Sequence, residues 1–339
     1  MARKPNLLLC FDAFGTLFRP KHSVAQQYGD VARQCGLSSR LREEDVQPCL
    51  MAAMKAESKR NPNFGRATGL GATKWWTNVI HNTFAPLLAG TGASIPDDLA
   101  PRLLHRFATM DGYTLESPDL VSSLRSLKGT PPPAPPRTAS VDGAASGQGV
   151  QRGPLYDQIV VGIVTNSDDR VPGILSSAGF AVSPLRYGTE LGDPAEMTAI
   201  VDADGNDLTD WDIDFHCMSY DVGVAKPDLA IFEAADYMLP RVLDARSTAA
   251  LSHAEAHQAW QKIYVGDEYA KDVVGSLSAG WNSVLLDHEG SGSDTHEGQA
   301  IPILQDVGET TTSITDLFKE SPVLSVRSIK DLVRCLRGY

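Results

Sequence analysis

No stretch of this chain approaches the 18 or so consecutive apolar residues of a membrane-spanning helix. Its N-terminal apolar run is a few residues long and flows straight into Asp12, without the core and cleavage site of a secretory signal. Cysteine is scarce: Cys10, Cys35, Cys49, Cys217 and Cys335 are an odd, scattered set with no CxxC pair, as expected of reduced thiols in a cytoplasmic or nuclear protein. Positive charge is also short. Against 42 acidic residues stand 30 Lys and Arg, a net charge of −12, which disfavours general binding to nucleic acid or anionic membranes. No GxGxxG, Walker-type loop or GxSxG elbow occurs, so dinucleotide, P-loop and serine-hydrolase chemistries have no anchor. His253 and His257 in "HAEAH" share a helix spacing, but the glutamate is one place too late for HExxH, and a solvated helix is the expectation.

What is present suffices for about two domains: 339 residues, 42% of them hydrophobic. Leu7 to Phe11 is a continuous apolar run, as a strand buried on both faces requires. The period then changes. Val24, Tyr28, Val31 and Cys35 follow helical spacing, with Ser23 as N-cap and Gly36 as stop. Helical patterning persists to about residue 116 with no convincing strand after Leu17, so residues 18–116 are expected to form an inserted helical domain. Within it the pair Trp75-Trp76 is expected to pack between helices. Ser117-Pro118 opens a further helix, "SPDLVSSLRSLK". Residues 129–154 are so rich in Pro, Gly, Ser and Ala that a flexible loop is expected, whose proline-rich character also offers a docking site for a protein partner. Beyond it, apolar strands in "QIVVGIVTNS", "KIYVGD" and "NSVLLD", with the segment "FHCMSYDVGVAKPD" among them, alternate with helices, and insertions are expected near 186–214, 242–258 and 288–312. That alternation argues an α/β fold with a doubly wound parallel sheet, built from 1–17 and 117–339.

In such sheets ligands bind beyond the carboxyl ends of the strands, and the polar residues gather there. Asp12 follows the first strand, Thr165-Asn166 close the second, and Asp267 ends "KIYVGD", with Asp272 five residues on. Lys226 stands in "GVAKPD" just before a helix. Taken singly, each is an ordinary cap or turn. In this order they resemble the four motifs of the haloacid-dehalogenase-like hydrolase superfamily: "FDAFGTL", "GIVTNS", "GVAKPD" and "VGDEYAKDVVGSLSAGW". Within it the nearest likeness is the branch of domain-containing protein 3. The resemblance implies a Rossmann-like core with a helical C1-type cap, Asp12 as nucleophile, Thr165, Asn166 and Lys226 as phosphoryl-binding groups, and Mg²⁺ held by Asp12, the Phe14 backbone carbonyl, Asp267 and Asp272. Independent chemistry agrees that converging carboxylates repel unless a cation sits between them, and Mg²⁺ prefers oxygen ligands.

One residue departs from that pattern. Superfamily phosphatases usually carry a second aspartate two places after the nucleophile, where this chain has Phe14. A positioned general acid–base is worth about 10²–10⁴ in rate. Three readings follow: a Mg²⁺-dependent phosphohydrolase of a small phosphorylated metabolite, with a good leaving group or an acid recruited from Glu268 or Asp168; a 2-haloacid dehalogenase, against which Asp267 and Asp272 speak; or an idle relative kept as a binding or scaffold protein. Basic residues such as Arg19, Lys21, Lys55, Lys59 and Arg66 give no readable substrate code.

Overall fold

In a computed structural model, residues 4–37, 41–129, 155–189, 211–246, 260–288, 295–296, 298–304 and 313–338 are described. The proline-rich loop (130–154), His253, His257 and most of the three expected insertions lie outside them.

The strands are β1 (Asn6–Phe11), β2 (Phe18–Pro20), β3 (Tyr113–Leu115), β4 (Ile159–Thr165), β5 (Phe215–Met218), β6 (Trp260–Gly266), β7 (Asn282–Leu286), the short pair β8 (Thr295–His296) and β9 (Gln299–Ala300), and β10 (Val323–Val326). Six of them form one parallel sheet in the order β10-β7-β6-β1-β4-β5. The chain builds outward from β1 through β4 to β5, then reverses to β6, β7 and β10. The reversal falls between β1 and β6, the place where open parallel sheets leave a crevice.

Both faces of this sheet are covered, which is why β1 reads as unbroken apolar sequence. Leu7, Leu9 and Phe11 point into one cluster, while Leu8 and Cys10 point into another with Val160, Phe215 and Tyr264. Period two thus sorts one run of residues into two cores. The first cluster continues without a break into the helices α1 (Val24–Gln34), α2 (Glu43–Arg60), α3 (Ala72–Leu88) and α4 (Leu99–Arg106), through Tyr28, Trp75 and Phe84. Ser23 caps α1 by accepting from the Gln26 amide, and Gly36 follows its end at φ +88°. Among the described residues no helix is long and apolar enough to cross a membrane.

Two local expectations fail. The stretch read as strand-free contains β2 and β3, an antiparallel pair with Phe18 opposite Leu115 and Pro20 opposite Tyr113. Three residues each are too few to display a period, and Pro20 is tolerated because the ladder ends there. The helix expected to open at Ser117-Pro118 begins two residues later, as α5 (Leu120–Leu127), because Ser117 spends its hydroxyl on the Asp119 carboxylate. The core completes with α6 (Val171–Ser177), the single turn α7 (Ser219–Val222) and α8 (Leu229–Arg246), which buries Ile231, Phe232, Ala235 and Met238 against the sheet.

Candidate active site

Register brings the strand ends together. Phe11 lies level with Ile163 of β4 and Val265 of β6, so Asp12 emerges beside Gly266 and donates its amide to the Val265 carbonyl at 2.8 Å. Thr165 closes β4 one step further along and is fully buried. Asp267 leaves β6 immediately after Gly266, and Asp272 returns from a π-turn over Tyr269–Val273. One carboxylate oxygen from each of Asp12, Asp267 and Asp272 lies within 4.8 Å of the others.

Two glycines make that convergence possible. A Cβ at Gly266 would stand 2.2 Å from Asp272 Oδ2, and one at Gly15 would stand 2.2 Å from Asp267 Oδ2. Gly15 also adopts φ +85°, a conformation side chains disfavour. Each acid is then fixed: Asp267 Oδ1 accepts from the Thr16 hydroxyl at 3.2 Å, and Asp272 Oδ2 from the Glu268 amide at 2.9 Å. Burial, then the neighbouring Asp12 charge, raises the Asp267 pKa above the usual carboxylate value. Burial likewise raises that of Asp272, with Lys226 opposing and Asp12 adding to the rise.

Lys226 supplies the positive charge. Its Nζ donates to Tyr264 Oη and Asp272 Oδ1, both at 2.7 Å, and lies 2.8 Å from Asp12 Oδ1, off the line of a good hydrogen bond. Burial alone would neutralise it; Asp12 and Asp272 outweigh that and raise its pKa. Asn166 holds the lysine from behind, accepting from the Lys226 amide at 2.6 Å and donating to its carbonyl at 3.1 Å. Both ends of the Asn166 amide therefore serve to place Lys226. Sequence reading missed Tyr264, whose hydroxyl donates to the Val164 carbonyl at 2.7 Å; a tyrosine inside "KIYVGD" was the available signal.

The Phe14 ring turns away into an aromatic group, 4.8 Å from Phe18 and 5.7 Å from Tyr113 between centroids. It lines a cavity of about 220 Å³ that also exposes Asn166, Ser167, Asp168 and Arg170. Trp76 lines it too, while packing on Trp75 and Phe64 at 4.8 and 6.4 Å between centroids. Trp75 is buried with its Nε1 on the Asn61 carbonyl, whereas Trp76 donates Nε1 to Asp168 Oδ2 at 2.6 Å and lies under the Arg170 guanidinium at 4.3 Å. Neither acid suggested as a substitute for the missing aspartate is free. Asp168 accepts from Trp76, from Arg170 Nε and Nη2 at 2.8 Å each, and from the Arg170 amide; Glu268 is largely exposed and paired with Lys271. Arg66 is engaged as well, on Asp221 at 3.1 Å.

No protein-family model matches the chain. Relatives do. An uncharacterized protein of Saccharomyces cerevisiae is 25% identical over 83% of this chain and 72% of its own length. Haloacid dehalogenase-like hydrolase domain-containing protein 3 of Danio rerio is 28% identical, covering 87% of this chain and 90% of its own. Over most of its length the chain is thus similar to haloacid dehalogenase-like hydrolases. Solved structures similar to it include a 2-haloacid dehalogenase from Pseudomonas syringae (15% identity, TM-score 0.47, 97% of both chains) and a HAD phosphatase from Thermococcus onnurineus (15%, TM-score 0.46, 98% of both). The acidic cluster is compatible with Mg²⁺.

Proposed function

We propose that this protein is a Mg²⁺-dependent phosphohydrolase of a small phosphorylated compound, with Asp12 as nucleophile. The observation that carries the reading is the meeting of three carboxylates and one buried lysine at the carboxyl ends of β1 and β6. The donor set suits a hard cation. It is all oxygen, two acids are held in glycine-lined niches, and Asp12 Oδ1 is buried without an aligned donor. Asp12, Asp267, Asp272 and the Phe14 carbonyl are the proposed ligands; when bound, the cation screens the carboxylates and polarises the phosphoryl oxygens.

Asp12 attacks phosphorus in line. A bond forms between its carboxylate oxygen and phosphorus while the bond to the leaving oxygen breaks, giving an aspartyl-phosphate. Lys226, with the Thr165 hydroxyl, offsets charge on the equatorial oxygens. Water then attacks the phosphoryl group, releasing phosphate and the Asp12 carboxylate. Helices α1–α4 act as the cap, closing over the site and excluding bulk water.

Hydrolysis of p-nitrophenyl phosphate that needs Mg²⁺, stops with chelator and is lost in Asp12→Asn supports this reading; turnover unchanged in that variant overturns it. Phe14 favours a second reading, a 2-haloacid dehalogenase, because halide departs without a proton. Chloride release from 2-chloropropionate without metal is its signature, and the paired Asp267 and Asp272 weigh against it.

A further inference from the structure

Half of the residues that line the cavity beside Phe14 are aromatic. Phe14, Tyr28, Phe64, Trp76, Phe107 and Tyr113 supply six rings, drawn from the loop after β1, from the helical segment and from β3. Its volume, about 220 Å³, exceeds the roughly 150 Å³ of an apolar cavity able to hold benzene. The cavity adjoins the polar cluster through two residues: Phe14, two places after the nucleophile, and Asn166, which fixes the Lys226 backbone.

Its charged and amide side chains are engaged within the protein. The Arg170 charge is met by a bidentate pairing with Asp168, which also takes the Trp76 Nε1 hydrogen, so the floor carries no net charge. Both ends of the Asn166 amide are on Lys226. A charged group entering here would give up water for few partners, whereas a flat apolar ring gains stacking and loses little.

The cavity is also poor in carboxylic acids. The Asp168 carboxylate accepts four hydrogen bonds, three of them from Arg170, so a leaving oxygen in this place meets no free carboxyl group. A phenolate, conjugate to an acid near pKa ~10, departs without one far more easily than an alkoxide, which is several units more basic.

Resting on the phosphohydrolase reading, we propose that the substrate is an aryl phosphate whose uncharged ring occupies the aromatic cavity and leaves as the phenolate. In the first step the P–O(aryl) bond breaks, its electron pair stays on the aryl oxygen, and solvent protonates the phenolate after release.

Four substrates separate ring from leaving group when compared with Mg²⁺ present: phenyl phosphate, benzyl phosphate, n-propyl phosphate and acetyl phosphate. Benzyl phosphate has the ring but departs as an alkoxide, and acetyl phosphate has an easy leaving group but no ring. The expected result is a single-turnover rate of alcohol release at least about 100-fold higher for phenyl than for benzyl phosphate, the size of a missing general acid. Phenyl and benzyl phosphate are expected to share a half-saturating concentration in that single-turnover step at least about tenfold below that of n-propyl phosphate, and Phe64→Ala to erase that difference. In Phe14→Asp, the benzyl rate rises toward phenyl. Turnover of acetyl phosphate with equal half-saturation for phenyl and n-propyl phosphate overturns the aryl assignment and leaves the phosphohydrolase standing. No turnover of any of the four, acetyl phosphate included, overturns both.

Discussion

At the scale of single residues, the site depends as much on what is missing as on what is there. Gly266 carries no side chain, and Asp272 occupies the space a methyl group would fill, 2.2 Å from the position of that absent carbon. In Gly266→Ala one of the two must move, and overpacking of this kind costs about 1–3 kcal/mol. The expected outcome is a lowered thermal midpoint together with at least about tenfold weaker activation by Mg²⁺; a variant with wild-type metal dependence would show that Asp272 is not held by that niche. At this scale the sequence was readable for charged residues and mute for their surroundings. Asp12, Lys226, Asp267 and Asp272 stand out because an ion at a strand end is costly without a task. Tyr264 and Trp76 do not, since a ring in an apolar stretch looks the same whether it packs or bonds.

Among the elements, β5 holds a buried base whose cost is measurable. His216 lies level with Ile163 of β4, its Nδ1 3.4 Å from the Leu185 carbonyl and its Nε2 without a partner. Burial, which disfavours the imidazolium, lowers its pKa from 6.5 to about 4, with Arg186 adding to the effect. Between those values the unfolded chain binds a proton that the folded chain refuses. The contribution to stability is therefore complete above pH 6.5 and is lost as pH falls toward about 4, at roughly 1.4 kcal/mol per pH unit. Urea unfolding at pH 6.5 and 5 is expected to show His216→Asn losing about 2 kcal/mol less than wild type; equal losses would remove His216 from the acid sensitivity. The long elements were legible because their periods repeat: β1 and β4 as apolar runs, α1 by its spacing, cap and stop. β2 and β3 were not, being shorter than one period of evidence, and the π-turn at Tyr269–Val273 has the composition of an ordinary helix start.

Across the whole molecule, helices and sheet meet at two polar bridges as well as through a shared apolar core. Trp76 of α3 reaches Asp168 after β4, while Asn63 donates to the Ser219 and Tyr220 carbonyls and Arg66 pairs with Asp221, all of α7 after β5. Both bridges end on loops at the carboxyl edge of the sheet, so the helical segment is tied to the edge that bears the acids. The order of motifs along the chain was legible; the aromatic cavity was not, because its rings come from positions a hundred residues apart with no common period. In the proposed aryl phosphohydrolase the first step needs no proton and the second lacks its usual base, since Phe14 cannot activate water. The aspartyl-phosphate is then expected to accumulate. Rapid-quench turnover of p-nitrophenyl phosphate with Mg²⁺ tests this most directly. A burst of p-nitrophenolate approaching one equivalent per enzyme, phosphoryl recovered on the peptide containing Asp12, and no burst in Phe14→Asp are expected; product formed linearly from the first turnover, with Asp12 unmodified, would contradict the proposal.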